Sequence, residues 1–176
     1  MKGTIHYCLE ETILDQYGRE AWNQCKLAAG IPKEYSFGQQ ILDDLNEEDT
    51  IKLFIQSADT LDIDLKSLFD QFGIYWCCTY APNLYPQFFQ KARSTKEMLL
   101  GLDHIHQIVT SKKPGAKPPR FTYDWLDDGR LLVNYQSERG LFELFESLLR
   151  GLDHKFGSHT QIERTDDNGL ILAFEA

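Results

Sequence analysis

PPRFTYDWLDDGRLLVNYQS, residues 118–137, is where the chain changes texture. Pro118-Pro119 forces an extended, stiff backbone that neither a helix nor a central strand accommodates. Phe121, Tyr123 and Trp125 then alternate with polar residues. Asp127-Asp128-Gly129 supplies a turn, and Leu131, Val133 and Tyr135 alternate on the way back. That pattern is a β-hairpin. A second hairpin is expected near the end, with Thr160 to Arg164 and Leu170 to Phe174 joined by Asp166-Asp167-Asn168-Gly169. Between the two, Leu141 to Phe156 reads as an amphipathic helix closed by Gly157.

Upstream of this stretch the apolar residues keep helical spacing. Ile5, Leu9, Ile13 and Leu14 share a face and Gly18 ends that segment; Glu20 to Ala29 follows and stops at Gly30-Ile31-Pro32. Asn46, with acids behind it, caps a helix through about Asp59, and Asp64 caps the next. In that helix Leu65, Leu68, Phe69, Phe72 and Trp76 trace the apolar stripe. Tyr80 to Pro86 is expected as loop, a short segment around Phe88-Phe89 follows, and a helix spans about Ser94 to Ser111. Residues 112–119, KKPGAKPP, connect it to the hairpin. Helices first and antiparallel strands later predict an α+β domain. The helical part covers about 1–111 and the α/β part about 112–176.

Composition narrows the function classes. The chain has 176 residues, 42% of them apolar, with 27 acidic and 18 basic side chains and a net charge of −9. That is enough for one well-formed core. No apolar run approaches the ~20 residues of a membrane helix, and the N-terminus lacks the apolar stretch of a secretory signal, so no membrane role is expected. An acidic surface repels phosphate backbones, which argues against nucleic acid as a partner. Cys8, Cys25, Cys77 and Cys78 form no C-x-x-C pair. They read as reduced, small buried hydrophobes in a cytoplasmic protein.

Five histidines are the candidate ligands or bases: His6, His104, His106, His154 and His159. At about 100° per residue, Met98, Leu102, Ile105 and Val109 cluster on one helix face. His106 falls at the edge of that face, His104 on the opposite side, and His6 reads as a surface or capping residue. An imidazole at such an edge is either a hydrogen-bonded core residue or a ligand to something buried. Asp103 points elsewhere and no Cys or second His lies at zinc spacing, so a closed four-ligand site is not expected. A porphyrin iron, by contrast, needs only one protein ligand, since the macrocycle supplies four nitrogens. Further on, Tyr135, Ser137 and Arg139 share one strand face. A phenol, a hydroxyl and a guanidinium together form a donor array suited to carboxylates.

Four elements in this order, Met1-Lys2-Gly3-Thr4-Ile5, Leu102-Asp103-His104-Ile105-His106, Pro118-Pro119 and Tyr135-x-Ser137-x-Arg139, resemble the H-NOX (haem–nitric oxide/oxygen-binding) family. The likeness is to its bacterial stand-alone type, related to the haem domain of soluble guanylate cyclase. It covers essentially the whole chain and implies a single H-NOX domain over 1–176. The family fold is a helical distal subdomain and an α/β proximal one, with haem b (iron protoporphyrin IX) buried between them. By this resemblance His106 is the axial ligand of the haem iron. Tyr135, Ser137 and Arg139 hold the propionates, Ile5 and Pro119 touch the porphyrin, and Pro119 distorts it. The distal pocket is formed by Leu9, Trp76, Tyr80 and Leu144.

Leu144 stands where oxygen-binding members carry a tyrosine, so the pocket is expected to favour NO (and CO) over O₂. The implied function is a nitric oxide sensor without a catalytic group. With no output domain expected in the chain, it would act on a separate partner such as a histidine kinase or a cyclic-di-GMP enzyme. The C-terminal zinc cluster of some members is expected to be absent, since His154 and His159 have no cysteine beside them. Two other readings stay open: a haem-dependent O₂ or redox sensor or oxidase, which needs a distal acid–base group, and a haem-free interaction scaffold.

Overall fold

In the computed structural model, residues 3–40, 46–111, 118–137, 141–166 and 169–175 are described. Helix α1 (Gly3–Ala28) is two helices joined at Gly18, whose φ of 81° is non-helical, as the glycine position predicted. A 3-10 turn (Phe37–Gln40) leads to α2 (Glu47–Thr60) and α3 (Leu65–Tyr75). Asn46 and Asp64 cap the last two, their carboxamide and carboxylate oxygens accepting from Glu48 N and Ser67 N. Residues 80–86 are not the loop expected from their composition. A π-turn (Trp76–Tyr80) continues α3, and two single-turn helices follow, α4 (Ala81–Leu84) and α5 (Pro86–Phe89). Pro82 and Pro86 sit in the first turns of these helices, where a missing N–H costs nothing.

Helix α6 (Thr95–Thr110) is capped by Ser94, which accepts from Glu97 N. Beyond it β1 (Arg120–Trp125) and β2 (Leu131–Gln136) form the first hairpin, α7 (Phe142–Phe156) crosses back, and β3 (Thr160–Arg164) and β4 (Gly169–Phe174) complete the second. The four strands make one antiparallel sheet in the order β1-β2-β4-β3. Mixed helices followed by this sheet are the α+β class the sequence predicted. Gly157 ends α7 in the left-handed conformation, φ 66°.

The core is divided. One cluster gathers α1, α2 and α3, including Leu9, Ile13, Trp22, Leu53, Leu68 and Phe72. The other lies between α6, α7 and the sheet, including Leu99, Phe121, Leu131, Val133, Leu149 and Leu172. Helix α7 feeds both: Leu144 belongs to the first and Phe145 to the second, while Leu148 and Trp76 touch both. Where α3 crosses α7 the backbones meet directly. A Cβ on Gly73 would lie 2.2 Å from the Ser147 carbonyl oxygen, and one on Gly151 would lie 2.1 Å from that of Gly73. Only glycine permits this approach.

Candidate functional site

His106 lies one turn before the end of α6, at the edge of the helix's apolar face. His104, on the other side, is exposed, as the helical wheel predicted. The imidazole of His106 is half-buried, with its Nδ1 buried and its ring 5.7 Å from the Phe121 ring. Phe121 is the hub of an aromatic floor. Its ring stands 5.6 Å from Tyr135 and 5.1 Å from Phe145, and Tyr135 stacks on Phe145 at 5.2 Å and 9°. The hairpin register explains why Tyr135 comes here: it is the cross-strand partner of Phe121. Pro119 precedes β1 by one residue and is half-buried, and Ser137 follows β2 and is half-buried too. The structure thus brings His106, Pro119, Tyr135 and Ser137 to one end of the sheet. Arg139 lies outside the described residues, as do Met1 and Lys2.

The turn of α6 before His106 is fastened to β1. Asp103 accepts from Arg120 Nε at 2.7 Å and Nη2 at 3.0 Å, and from the Phe121 backbone N–H at 3.1 Å. Hydrogen bonding from the Arg120 guanidinium holds the Asp103 carboxyl well below the usual carboxylate range. Tyr123 adds a second fastening, its hydroxyl donating to the Leu99 carbonyl at 2.7 Å; burial pushes this phenol up to about 12. In the sequence Asp103 stands inside the Leu102-to-His106 motif with no evident task. Its signal was the spacing itself, one turn before His106 and on a different face, which is the geometry of a brace.

The other nominated residues, Ile5, Leu9, Trp76, Tyr80 and Leu144, all belong to the helical cluster. Leu9 is fully buried and Leu144 nearly so; Ile5, Trp76 and Tyr80 are half-buried. Trp76 is stacked on Phe72 at 5.8 Å and 24°, and Tyr80 lies 5.3 Å from Trp76. Leu148 and Cys77 were not nominated, yet they close the boundary between the clusters, the Cys77 thiol donating to the Leu148 carbonyl at 3.4 Å. Position on a helix wheel could not find them, because the boundary is created by α7 packing on the π-turn. His6 is a correction. It is buried at 3% exposure, stacked on Phe37 at 5.1 Å, with its Nε2 2.9 Å from Thr50 Oγ1. A helix start looked exposed in sequence, but α2 and the Phe37 turn cover it.

These residues fit a haem by their chemistry. One imidazole stands at the rim of an aromatic floor, a phenol and a hydroxyl project from the end of the same sheet, and apolar side chains line the facing cluster. Flat apolar faces with acid groups at one edge match that arrangement. Among the described residues no group of three or more His, Cys, Asp or Glu could hold a bare metal ion, and no helix is long and apolar enough to cross a membrane.

Comparison with known proteins agrees with the architecture. Soluble guanylate cyclase gcy-35 of Caenorhabditis elegans is 23% identical over 154 residues, covering 85% of this chain, which spans only 22% of that relative's length. Three H-NOX structures share the fold. A Cs H-NOX variant superposes with a TM-score of 0.87 at 19% identity, covering 100% of this chain and 97% of its own. An H-NOX protein from S. oneidensis in the Fe(II)NO ligation state gives 0.85 at 20%, covering 100% of both chains. An oxygen-binding H-NOX domain related to soluble guanylate cyclases, in its oxygen complex, gives 0.81 at 20%, covering 100% and 96%. The family described as Haem-NO-binding matches residues 2–164, nearly the whole chain, and the protein belongs to that family.

Proposed function

We propose that this chain is a haem-based nitric oxide sensor: a single domain over residues 1–176 that acts by binding, without a catalytic step of its own. The observation that carries this reading is the half-buried His106 imidazole, set against Phe121 at the end of a helix whose preceding turn is braced. His106 would hold the iron of haem b. Tyr135 and Ser137, with Arg139, take the propionates, and Pro119 and Ile5 press on the macrocycle. Haem would supply an iron that binds NO and that would then hold His106 more weakly.

The protein's part is to convert that weakening into a shape change. Asp103 and Tyr123 keep the Leu99–Asp103 turn on β1, so release of His106 frees only the last turn of α6. Pro119 lies at the foot of β1 beside this brace, and relaxation there passes into the same strand. This is a two-state element biased by a ligand. Leu9 and Leu144 offer no donor, so the pocket favours NO, which needs none, over O₂, which a hydrogen bond stabilises. The element would regulate a separate cytoplasmic partner, either a histidine kinase or a cyclic-di-GMP enzyme.

The test is reconstitution with hemin followed by reduction and gas titration. Purified protein should take up one haem, respond to NO and to CO, and leave its spectrum unchanged in O₂. A folded protein that stays colourless overturns the reading. A strong, stable response to O₂ favours an oxygen or redox sensor instead.

A further inference from the structure

A row of rings runs through the helical half, from the boundary between the cores to α1. Trp76 touches both cores, so it stands where the haem proposed above would border the row. Tyr80 lies 5.3 Å from Trp76, and Tyr7 meets Tyr80 edge-on at 5.9 Å. On its other side Trp76 stacks on Phe72 at 5.8 Å, and Phe54 and Phe69 continue that branch.

The two branches differ chemically. An indole or a phenol gives up an electron far more readily than a phenyl ring. An electron deficit on Trp76 therefore has a path through Tyr80 to Tyr7 and none through the phenylalanines. The two phenols differ as well, because a phenol is easily oxidised only if its proton can leave. Burial, the leading cause, pushes the Tyr80 phenol up to about 12. Tyr7 has a base at hand. Glu11 stands one turn further along α1, and both side chains are half-buried. Burial first, then the Glu11 and Glu10 charges, raise the Tyr7 phenol. Burial and the Glu10 charge also raise the Glu11 carboxyl, which makes its carboxylate the stronger base.

We propose that Trp76, Tyr80 and Tyr7 form an electron-transfer path that discharges the haem when a peroxide reaches it, with Tyr7 the terminal donor and Glu11 the base that takes its proton. The inference rests on the haem reading above and adds a protective reaction to it. Hydrogen peroxide is the oxidant: its O–O bond breaks, and reduction to two waters takes two electrons and two protons. The path delivers the electrons one at a time. Trp76 gives an electron to the haem, and Tyr7 refills Trp76 through Tyr80 as its O–H bond breaks and the proton passes to Glu11 and then to water. A small thiol returns a hydrogen atom to the Tyr7 radical, and two such thiols end as a disulfide.

The experiment mixes ferric, haem-loaded protein with hydrogen peroxide, freezes it within milliseconds and records the electron paramagnetic resonance. A nitroso spin trap followed by peptide mass spectrometry locates the radical, and thermal melting is the folding control. Wild type should show a tyrosyl signal and a trap adduct on Tyr7. Tyr7→Phe and Trp76→Phe should lose most of that signal, and their haem should bleach faster under peroxide. Glu11→Gln should weaken the signal. Tyr75 also lies beside Glu11 but makes no ring contact with this row among the described residues, so Tyr75→Phe should behave as wild type. An unchanged signal in folded Tyr7→Phe or Glu11→Gln, an equal loss in Tyr75→Phe, or haem-bearing wild type without a tyrosyl radical overturns the proposal and leaves the haem reading intact. Wild type that takes up no haem overturns both.

Discussion

The two cores treat polar groups differently. In the helical core they are enclosed and closed upon one another. The Glu10 carboxylate accepts from the Trp22 indole and the Phe37 amide, Lys26 donates to the Lys33 and Tyr35 carbonyls, and His6 meets Thr50. In the sheet-side core the aromatic floor meets polar groups at one edge, the half-buried Asp103, His106, Tyr135 and Ser137, while Thr95 and Thr160 are enclosed elsewhere in it. Both regions hold a histidine beside a phenylalanine, His6 at 5.1 Å from Phe37 and His106 at 5.7 Å from Phe121. Burial separates them: His6 is sealed inside one core, and His106 stands half-buried at the rim of the other. A sealed imidazole serves stability. One at a rim can serve a ligand.

That contrast breaks first at the histidines. His106→Gly should abolish haem uptake unless imidazole is supplied, with little change in unfolding temperature. His6→Leu should do the reverse, and absorption spectra with thermal melts on both variants check the pair. Next in size is the join between the cores. Gly151→Ala places a methyl against the Gly73 carbonyl and should cost about 3 kcal/mol, read from urea unfolding. Glu10→Gln replaces a carboxylate that accepts two enclosed donors and should cost about 1–2 kcal/mol by the same measurement.

On the rim the effects are smaller. Tyr123→Phe removes one hydrogen bond and should cost about 1 kcal/mol. The pH dependence has a definite sign at Asp103. Its folded pKa is depressed, so its contribution is complete above the unfolded value near ~4 and disappears as pH falls below it. Asp103→Asn should flatten the acid limb of a stability-versus-pH curve below about pH 4, and an unaltered limb would show that the brace adds nothing.

Much of this could be read from residue order. The double proline, the alternation over 121–135 and the two Asp/Gly turns specify hairpins locally, because strand period and turn chemistry are properties of a few adjacent residues. His106 could be separated from His104 for the same reason, since helix geometry places them on different faces. The misses are all non-local. His6 looked exposed because nothing in its neighbours announces that Phe37 and Thr50 will cover it. Residues 80–86 looked like loop because their tyrosines and prolines lack a helical period, yet they complete a π-turn packed on α7 and form the start of two short helices.

The two hairpins, the longer helices and the face on which His106 lies therefore follow from the chain's own spacing, each set by backbone geometry over a few residues. Which imidazole is sealed and which stands at a rim depends on segments tens of residues apart. So do the Asp103 brace and the Gly73–Gly151 contact. Packing chooses among those partners: α2 and the Phe37 turn seal His6, β1 braces Asp103, and α7 meets Gly73.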